Sequence, residues 1–372
     1  MSELWDKDHP VLQLLRRRRE SESKPGSRGP GDNAKLGLAV EGGGMRGVVS
    51  AAMLACLGDR GFVHAFDSVY GCSSGAVNAA YFLTADNLWY PASIYYEDLA
   101  SNEFLSYWRA VTGRSMLDLD FAYNTVVGSV KPLDYGKVLA SPAGLTIGIT
   151  LVDRLVTLPA AGFRSEQDLR SALVASAWLP LAVRGTGEYR GERAIDGGIL
   201  TALPFHLAVA DGCTHVLSLS TKPMSPVRSA VTPATRYAAW YLNRLKQGLG
   251  DGYLRAAQQK EQDRWQFLRT RLEPGAGGPY VLDLSPLPGS PEIRRAELNP
   301  HRLLNAARSA YAVSYAAVEG HSSDAVADGR IRALPRLAIV ERDYEADHAR
   351  FIDHFPARDA VRQQPGQAPG PS

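Results

Sequence analysis

Two short apolar segments of this chain are each followed by a glycine-rich turn and then by a stretch that can form a helix. Residues 36–40 lead into the glycines of residues 42–47, and residues 68–70 lead into Gly71-Cys72-Ser73-Ser74-Gly75. Two consecutive strand–turn–helix units favour a parallel β-sheet covered by helices, because parallel neighbours need a crossover connection. The predicted helices are residues 48–57 and 76–83.

Later segments modify this plan. Residues 145–152 and 155–158, joined through Asp153 and Arg154, predict a hairpin that would make the sheet mixed. Long helical segments between about residues 226 and 274 predict a helical insertion or lid. The other predicted elements are a helix at 169–175 opened by Ser165 and Asp168, strands at 216–220 and 280–284, and a helix at 301–318.

Composition suggests how the 372 residues divide. Residues 1–34 contain a run of four arginines and then a stretch rich in Ser, Gly, Pro and charge, which predicts a flexible N-terminal appendage. Residues 35–362 would form one folded domain with a sizeable core, since 45% of the chain is hydrophobic. Residues 363–372 have the low complexity of a disordered tail.

Charge and cysteine content exclude several classes of protein. A net charge of +2 gives no general attraction to nucleic acid. Three scattered cysteines provide no disulfide framework and no zinc-ligand spacing, so a reducing compartment and no metal are expected. The N-terminus lacks the pattern of a secretory signal, and no apolar run is long enough to cross a bilayer. These features predict a cytoplasmic protein that would meet a membrane only from the side.

Ser73 is the strongest candidate for a nucleophile. It lies at the centre of a Gly-x-Ser-x-Gly sequence, where Gly71 and Gly75 allow a sharp turn from strand to helix that exposes the hydroxyl. An ordinary strand-to-helix turn is the alternative, because this pattern also arises by chance. We interpret the neighbouring Cys72 as a packing residue, since no histidine pairs with it locally.

The glycine-rich loop is interpreted as an oxyanion hole, whose backbone N–H groups would hold a negative charge. Its residues are Gly42, Gly43, Gly44, Met45, Arg46 and Gly47. The loop also satisfies the Gly-x-Gly-x-x-Gly pattern of dinucleotide-binding proteins, in which Asp67 would be the acidic residue for the ribose. Asp67 fits that role poorly because it begins the strand that leads to Ser73. Arg46 could hold a phosphate or simply cover the start of the following helix.

A serine nucleophile needs a base, and the histidines do not suggest one. None of the eight histidines lies in a recognisable catalytic pattern. Asp196 follows an apolar run and precedes Gly197 and Gly198, which leave its carboxylate sterically open. Taken alone, Asp-Gly-Gly is also a common turn sequence.

Together these segments resemble the patatin-like phospholipase family. Members of that family combine a Gly-Gly-Gly-x-Arg-Gly loop, a Gly-x-Ser-x-Gly turn and a later Asp-Gly-Gly, in the order in which they occur here. A fourth match, Ala-Ser-x-x-x-Pro, stands at residues 175–180. The resemblance covers about residues 35–221 and, more loosely, the helix at 301–318. It implies an α/β fold, a three-layer α/β/α sandwich with a mixed, mostly parallel central sheet.

The resemblance also implies a serine acyl hydrolase of the phospholipase A, lysophospholipase or esterase type, with Ser73 and Asp196 as a catalytic dyad and no cofactor. Burial would raise the pKa of Asp196 and hydrogen bonds from Gly197 and Gly198 would lower it, so the sequence leaves the net direction open. Many relatives carry an asparagine before the proline that corresponds to Pro204, and this chain does not. An acyltransferase and a catalytically silent lipid-binding scaffold remain alternatives.

The expected partner is a lipid acyl ester. Peripheral membrane contact is predicted through Arg16–Arg19 or through the helical segment 236–271, which carries aromatic and basic residues. A solvated charge run and an ordinary amphipathic helix are the respective alternatives. The sequence gives no oligomeric state.

Overall fold

A computed structural model of the chain describes residues 3–223, 231–273, 275, 277–290, 292–333 and 339–341. The predicted tail at residues 363–372 lies outside these ranges. The strands are β1 Leu36–Val40, β2 Ser68–Gly71, β3 Gly144–Leu151, β4 Val156–Ala160, β5 Gly187–Tyr189, β6 Glu192–Asp196, β7 His215–Leu219, β8 Tyr280–Leu284, β9 Ile331–Ala333 and β10 Ile339–Glu341.

The α-helices are α1 Pro10–Glu20, α2 Gly47–Asp59, α3 Ser74–Thr84, α4 Tyr90–Ser93, α5 Tyr107–Val111, α6 Tyr135–Ala140, α7 Glu166–Ser176, α8 Phe205–Ala210, α9 Pro233–Leu245, α10 Leu249–Thr270, α11 Pro300–Val318 and α12 Ser323–Ala327. Ile94–Asp98 and Phe121–Val130 are wound as π-helix, and Gly44–Arg46, Val63–Ala65 and Gly197–Ile199 form 3₁₀ turns.

The described residues form an eight-stranded sheet in the order β5-β6-β3-β2-β1-β7-β8, with β4 also paired to β3. The β1–β2, β1–β7, β2–β3 and β7–β8 pairs are parallel, and β4 and β6, which pair antiparallel with β3, make the sheet mixed. Side chains along β1 point alternately into two hydrophobic cores: those of Leu38 and Val40 lie in one core, whereas that of Ala39 lies in the other. Helices therefore cover both faces, which confirms the predicted three-layer α/β/α fold.

The pairing of β3 brings the ends of two other strands together. Ile147 pairs with both Gly71 of β2 and Ala160 of β4, so β2 and β4 lie on opposite edges of β3. Ile149 pairs with both Leu158 of β4 and Asp196 of β6, so β6 also lies opposite β4. Strands β2 and β6 therefore share one edge of β3 and approach each other with their carboxyl ends. That arrangement puts Ser73 and Asp196 side by side.

The prediction of a flexible appendage at residues 1–34 is wrong for the described part of it. Helix α1 buries the side chains of Val11, Leu12, Leu14 and Leu15 against the main core. His9 caps the helix by accepting a hydrogen bond from the N–H of Val11. The polar composition of the following residues concealed an amphipathic helix that has the core of the domain as its partner.

The run Arg16–Arg19, one of the two predicted sites of membrane contact, is mostly engaged within the fold. The Arg18 side chain is buried and pairs with Asp32 and Asp67 at 2.8 and 2.7 Å. Arg16 donates hydrogen bonds to carbonyl groups at the end of α11, and Arg19 pairs with Glu319. Only Arg17 is exposed. Three of the four charges are thus used within the fold.

Candidate functional site

Ser73 occupies the turn between β2 and α3 in a backbone conformation that non-glycine residues rarely adopt. Its φ is 56° and its ψ is −138°. The two flanking glycines are required by close contacts. A Cβ at Gly71 would lie 2.7 Å from the Cα of Ala76, and a Cβ at Gly75 would lie 2.3 Å from the carbonyl oxygen of Val40. This is the strained turn expected of a nucleophile at a strand end.

A buried serine ties this turn to the neighbouring strand. The Ser73 N–H donates to Ser176 Oγ at 2.9 Å, and the Ser176 hydroxyl donates to the carbonyl oxygen of Gly148 on β3 at 2.7 Å. Ser176 ends α7 and is fully buried. The sequence marked residues 175–180 only as a matching stretch, because the distance of Ser176 from Ser73 along the chain concealed the contact.

Asp196 faces the Ser73 hydroxyl from the end of β6. The carboxylate is buried and accepts the N–H of Gly198 at 2.7 Å, and the Ser73 hydroxyl lies close enough to lower its pKa. Burial raises the pKa of Asp196, and the Ser73 hydroxyl and the Gly198 N–H oppose that rise without cancelling it. The direction that the sequence left open is therefore upward, which makes the carboxylate a stronger base than an exposed aspartate.

Gly197 is needed for a different reason from Gly198. A Cβ at Gly197 would lie 2.1 Å from the carbonyl oxygen of Gly148, so only glycine permits this approach between β6 and β3. The hydroxyl of Thr150 on β3 donates to the backbone oxygen of Asp196 at 3.0 Å. In this chain, Thr201 follows the Asp-Gly-Gly turn and its hydroxyl bonds to Thr157 rather than to Asp196.

The glycine-rich loop lies directly against the Ser73 turn. A Cβ at Gly42 would be 2.4 Å from the carbonyl oxygen of Cys72 and 3.0 Å from the Cβ of Ser73. Gly43 and Gly44 have φ values of 144° and 61°, which favour glycine.

Several N–H groups of the loop already have partners. The Gly43 N–H donates to Ser74 Oγ at 3.0 Å, and the Met45 N–H donates to the carbonyl oxygen of Arg295 at 3.0 Å. The N–H groups of Arg46 and Gly47 close the 3₁₀ turn. Within the described part of the chain, no hydrogen-bond partner is present for the N–H groups of Gly42 and Gly44.

A buried polar network holds the loop in place. Asn78 Nδ2 donates to the carbonyl oxygen of Gly47 at 2.9 Å and to Ser50 Oγ at 3.2 Å. Ser50 Oγ in turn donates to the carbonyl oxygen of Glu41 at 2.9 Å, and the Tyr95 hydroxyl donates to Asn78 Oδ1 at 3.1 Å. The loop is therefore fixed by side chains from α2, α3 and the π-helical segment Ile94–Asp98.

Charged side chains surround the same loop. Glu41 is buried and pairs with Lys260 of α10, and its other oxygen accepts the N–H of Thr221 at 2.6 Å. Burial lowers the pKa of Lys260 to about 8, against the opposing effect of Glu41. Burial, with repulsion from Arg295, lowers the pKa of Arg46 to about 10. Sequence reasoning did not identify Lys260 or Arg295, since nothing local indicates that they reach the loop.

Several of these groups border one cavity of about 280 Å³. Ser73, Asp196, Arg46, Lys260 and Arg295 are in its wall. Much of the remaining wall is apolar and comes from the segment between α4 and β4 and from α9; it includes Leu99, Phe104, Leu119, Tyr123, Ala238 and Leu242. Such a lining suits a hydrocarbon chain.

The residues that an alternative nucleophile or a dinucleotide site would use have other environments. Cys72 is buried, and burial raises the pKa of its thiol above the ordinary range. Asp67, the acid that a dinucleotide site would need, is paired with Arg18 and Arg28 and accepts the N–H of Leu36. Among the described residues, no histidine borders the cavity, and no group of three or more His, Cys, Asp or Glu side chains could hold a metal ion.

None of the helices in the described segments combines the length and the apolar character that crossing a bilayer requires.

Comparisons with known proteins bear on the same region. Residues 38–209 match the family model described as patatin-like phospholipase. The chain is 24% identical over 226 residues to the uncharacterized protein YjjU of Escherichia coli (strain K12), and the match spans 60% of each protein. The crystal structure of VipD from Legionella pneumophila overlaps 78% of this chain and 67% of its own with a TM-score of 0.42 and 13% identity.

The family match contains the glycine-rich loop, the Ser73 turn and Asp196. Residues 38–209 are therefore similar to patatin-like phospholipases over somewhat less than half of the chain.

Proposed function

We propose that this protein is a serine acyl hydrolase that cleaves acyl esters of lipids with a Ser73–Asp196 dyad. The observation that carries the proposal is the position of Ser73, held at φ 56°, in the wall of the same cavity as Asp196, a buried aspartate whose pKa is raised by burial. A half-buried hydroxyl on a strained turn beside a basic carboxylate is the arrangement that nucleophilic catalysis needs.

The reaction follows from these positions. Asp196 takes the proton of the Ser73 hydroxyl as Oγ attacks the ester carbonyl, and it returns that proton to the leaving alcohol when the C–O bond breaks. A water molecule then attacks the acyl-enzyme, loses a proton to Asp196, and releases the fatty acid while the proton goes back to Ser73 Oγ.

The oxyanion would be held by the glycine-rich loop. Among the described residues, the backbone N–H groups of Gly42 and Gly44 have no partner, and Gly42 lies next to Ser73. We therefore assign the donors to these two residues, whereas the N–H groups of Gly43 and Met45 serve the loop's own structure. Each well-placed donor contributes about 10²–10³-fold to kcat.

The test uses a fluorophosphonate probe and a short-chain ester. Ser73→Ala should abolish labelling and lower kcat by about 10⁴-fold or more. The matched control is Cys72→Ala, which removes the adjacent buried thiol and should keep both labelling and turnover. Undiminished turnover by Ser73→Ala would sink the dyad, and a folded wild-type protein that is neither labelled nor active would favour the scaffold alternative.

We also propose peripheral membrane contact through α9. Ala238 and Leu242 of this helix border the cavity, while Tyr237 and Trp240 are 61% and 52% exposed. Arg244 lies over the Trp240 ring at 5.1 Å. Exposed aromatic rings with cations beside an acyl cavity suit the headgroup region of an anionic bilayer.

Vesicle sedimentation of Ser73→Ala protein, which should not consume the lipid, tests this contact. The additional change Trp240→Ala should reduce binding to phosphatidylglycerol vesicles, whereas Trp265→Ala, on the part of α10 away from the cavity, should not. Equal binding by all three proteins would remove α9 from the contact surface.

A further inference from the structure

Helix α10 reaches the catalytic cavity from outside the segment that matches the family model. Tyr253, Ala256, Ala257 and Lys260 of this helix border the cavity. These four residues recur three to four positions apart, so they lie on one face of the helix. Lys260 is the charged member of the group, and its ammonium pairs with a carboxylate at the start of the glycine-rich loop.

Glu41 provides that carboxylate, and it directly precedes Gly42 in the chain. The Glu41 side chain is buried: one oxygen pairs with Lys260 Nζ, and the other accepts the N–H and the hydroxyl of Thr221 at 2.6 and 3.0 Å. The same Thr221 hydroxyl lies 3.3 Å from the carbonyl oxygen of Gly42. Glu41 therefore fastens the start of the loop to the segment after β7 and to α10.

The position of Gly42 leaves little room for its backbone to move. A Cβ at Gly42 would lie 2.4 Å from the carbonyl oxygen of Cys72 and 2.9 Å from the backbone nitrogen of Gly75, so Gly42 touches the Ser73 turn on both sides of the serine. Gly42 also has one of the two N–H groups assigned to the oxyanion. A displacement of Glu41 would move this N–H relative to Ser73, and an error of about 1 Å in a catalytic group can cost about 10²-fold in rate.

Lys260 supplies the charge that keeps Glu41 ionised in this place. Burial by itself would raise the pKa of Glu41, but the charges of Lys260, Arg264 and Arg46 lower it instead. Within the described residues, the ion pair of Glu41 is with Lys260, whereas Arg46 and Arg264 act on it through space. A buried carboxylate that loses its paired cation must take up a proton or turn toward other charges. Either change removes the tie between α10 and the loop.

We infer that Lys260 is a positioning residue that holds the glycine-rich loop in its catalytic geometry through Glu41. This inference rests on the proposed function, because the position of the Gly42 N–H affects turnover only if that N–H binds the oxyanion. The oxyanion hole is thus completed by α10, a helix outside residues 38–209.

Initial rates on a short-chain ester test this role. Lys260→Met should lower kcat by roughly 10–100-fold with KM nearly unchanged, because a displaced donor loses part of the transition-state stabilisation and none of the apolar binding surface. Lys260→Arg keeps the charge and should restore most of kcat. The matched control is Arg269→Met, an exposed cation of the same helix outside the cavity wall, which should behave as the wild type. Equal kcat values for Lys260→Met and wild type would overturn the inference.

The pH dependence of kcat separates positioning from a merely structural role. Burial lowers the pKa of Lys260 to about 8, Glu41 opposes this shift, and Arg264 and Arg46 add to it. Asp196 also interacts with this charge from across the cavity. The charge is present below the folded-state pKa and is lost as pH rises through it, so the wild-type kcat should decrease above about pH 8.

Lys260→Arg should move this decrease beyond about pH 10, since a guanidinium stays protonated there. The comparison keeps a cation opposite Glu41 in both proteins, so it tests the inference even if Lys260→Met does not fold. The same decrease in wild type and Lys260→Arg would contradict the inference.

Hydrogen exchange in Ser73→Ala protein separates this inference from the catalytic proposal, since it needs no turnover. Adding Lys260→Met should increase amide exchange in peptides that contain residues 41–47, whereas adding Arg269→Met should not. Faster exchange together with a fully active Ser73→Ala protein would reject the dyad while still supporting the contact through which Lys260 holds the loop. Unchanged exchange of the loop overturns the inference, whether or not Ser73 proves to be the nucleophile.

Discussion

The region around α1 and the glycine-rich loop each bury an arginine, but the two guanidinium groups differ in whether their donors have hydrogen-bond partners. Arg18 is 1% exposed, and its guanidinium donates to Asp32, to Asp67 and to the carbonyl oxygens of Ala34 and Ala65. Arg46 is 5% exposed, but its Nε has no partner within the described residues.

This difference separates a charge that joins parts of the fold from a charge with an unused donor. A buried guanidinium whose donors are all paired joins distant segments, here α1, the loop before β1 and the start of β2. A buried guanidinium with an unpaired donor adds little to folding and leaves binding energy available. The first region should therefore control stability, and the second should control activity.

The largest expected effect concerns the activity of the second region. Asp196→Asn should lower kcat on a short-chain ester by about 10³-fold or more, because it removes the base. The free energy of unfolding at neutral pH should not fall, since the replaced carboxylate is buried and charged at a cost. Asp32→Asn, in the α1 region, is the control and should lower the free energy of unfolding while kcat is retained. Urea denaturation and initial rates would measure the two quantities.

Loss of the paired arginine should have the next largest effect. Arg18→Met leaves Asp32 and Asp67 without this partner and should lower the free energy of unfolding by about 3–5 kcal/mol. Activity per folded molecule should be retained. Arg17→Met on the exposed side of the same helix is the matched control, and an equal loss of stability in both variants would contradict the distinction.

The two regions should also differ in how pH affects stability. The pKa of Asp32 is lowered by the hydrogen bond from Arg18. The contribution of Asp32 to the free energy of unfolding is therefore present above the unfolded-state pKa of about 4 and is lost as pH falls. The pKa of Asp196 is raised, so its contribution is present below about 4 and is lost as pH rises through the folded-state pKa.

Melting curves between about pH 3 and about pH 8 would compare these slopes. As pH rises, the Tm of Asp196→Asn should increase relative to the Tm of the wild type. As pH falls, the difference by which the Tm of Arg18→Met lies below that of the wild type should become smaller. Parallel curves for wild type and Asp196→Asn would mean that burial does not shift this carboxylate.

The smallest expected effect is on Arg46. Arg46→Met should change the free energy of unfolding by less than about 1 kcal/mol in either direction, because a hydrophobic side chain replaces an incompletely paired charge. Urea denaturation beside Arg18→Met provides the direct comparison. A loss as large as that of Arg18→Met would show that Arg46 is a structural arginine after all.

Much of the fold was predictable because it depends on local patterns. The apolar run at Tyr280–Leu284 and the hairpin of β3 and β4 have the period and turn that specify strands. Helices α2, α3, α7 and α11 extend one to three residues beyond their predicted bounds at one or both ends. By contrast, the sequence predicts a flexible segment where α1 forms, since the surface against which α1 packs is assembled from residues far along the chain.

The candidate site likewise contains residues that the sequence predicts and residues that it does not. The Ser73 turn, the glycine-rich loop and Asp196 were found because their glycines are dictated by local backbone geometry and short contacts. Ser176, Lys260 and Arg295 were not found, because each reaches the site across more than a hundred residues of chain.

The sequence by itself thus determined the strand–turn–helix units, the sheet class and the identity of the nucleophile and base candidates, since backbone conformation and hydrophobic period are local properties. The tertiary structure decided that β2 and β6 meet along one edge of β3, that Asp196 is buried with a raised pKa, and that Arg18 is paired while Arg46 is not. Burial and charge pairing depend on which distant segments come together, and no local pattern contains that information.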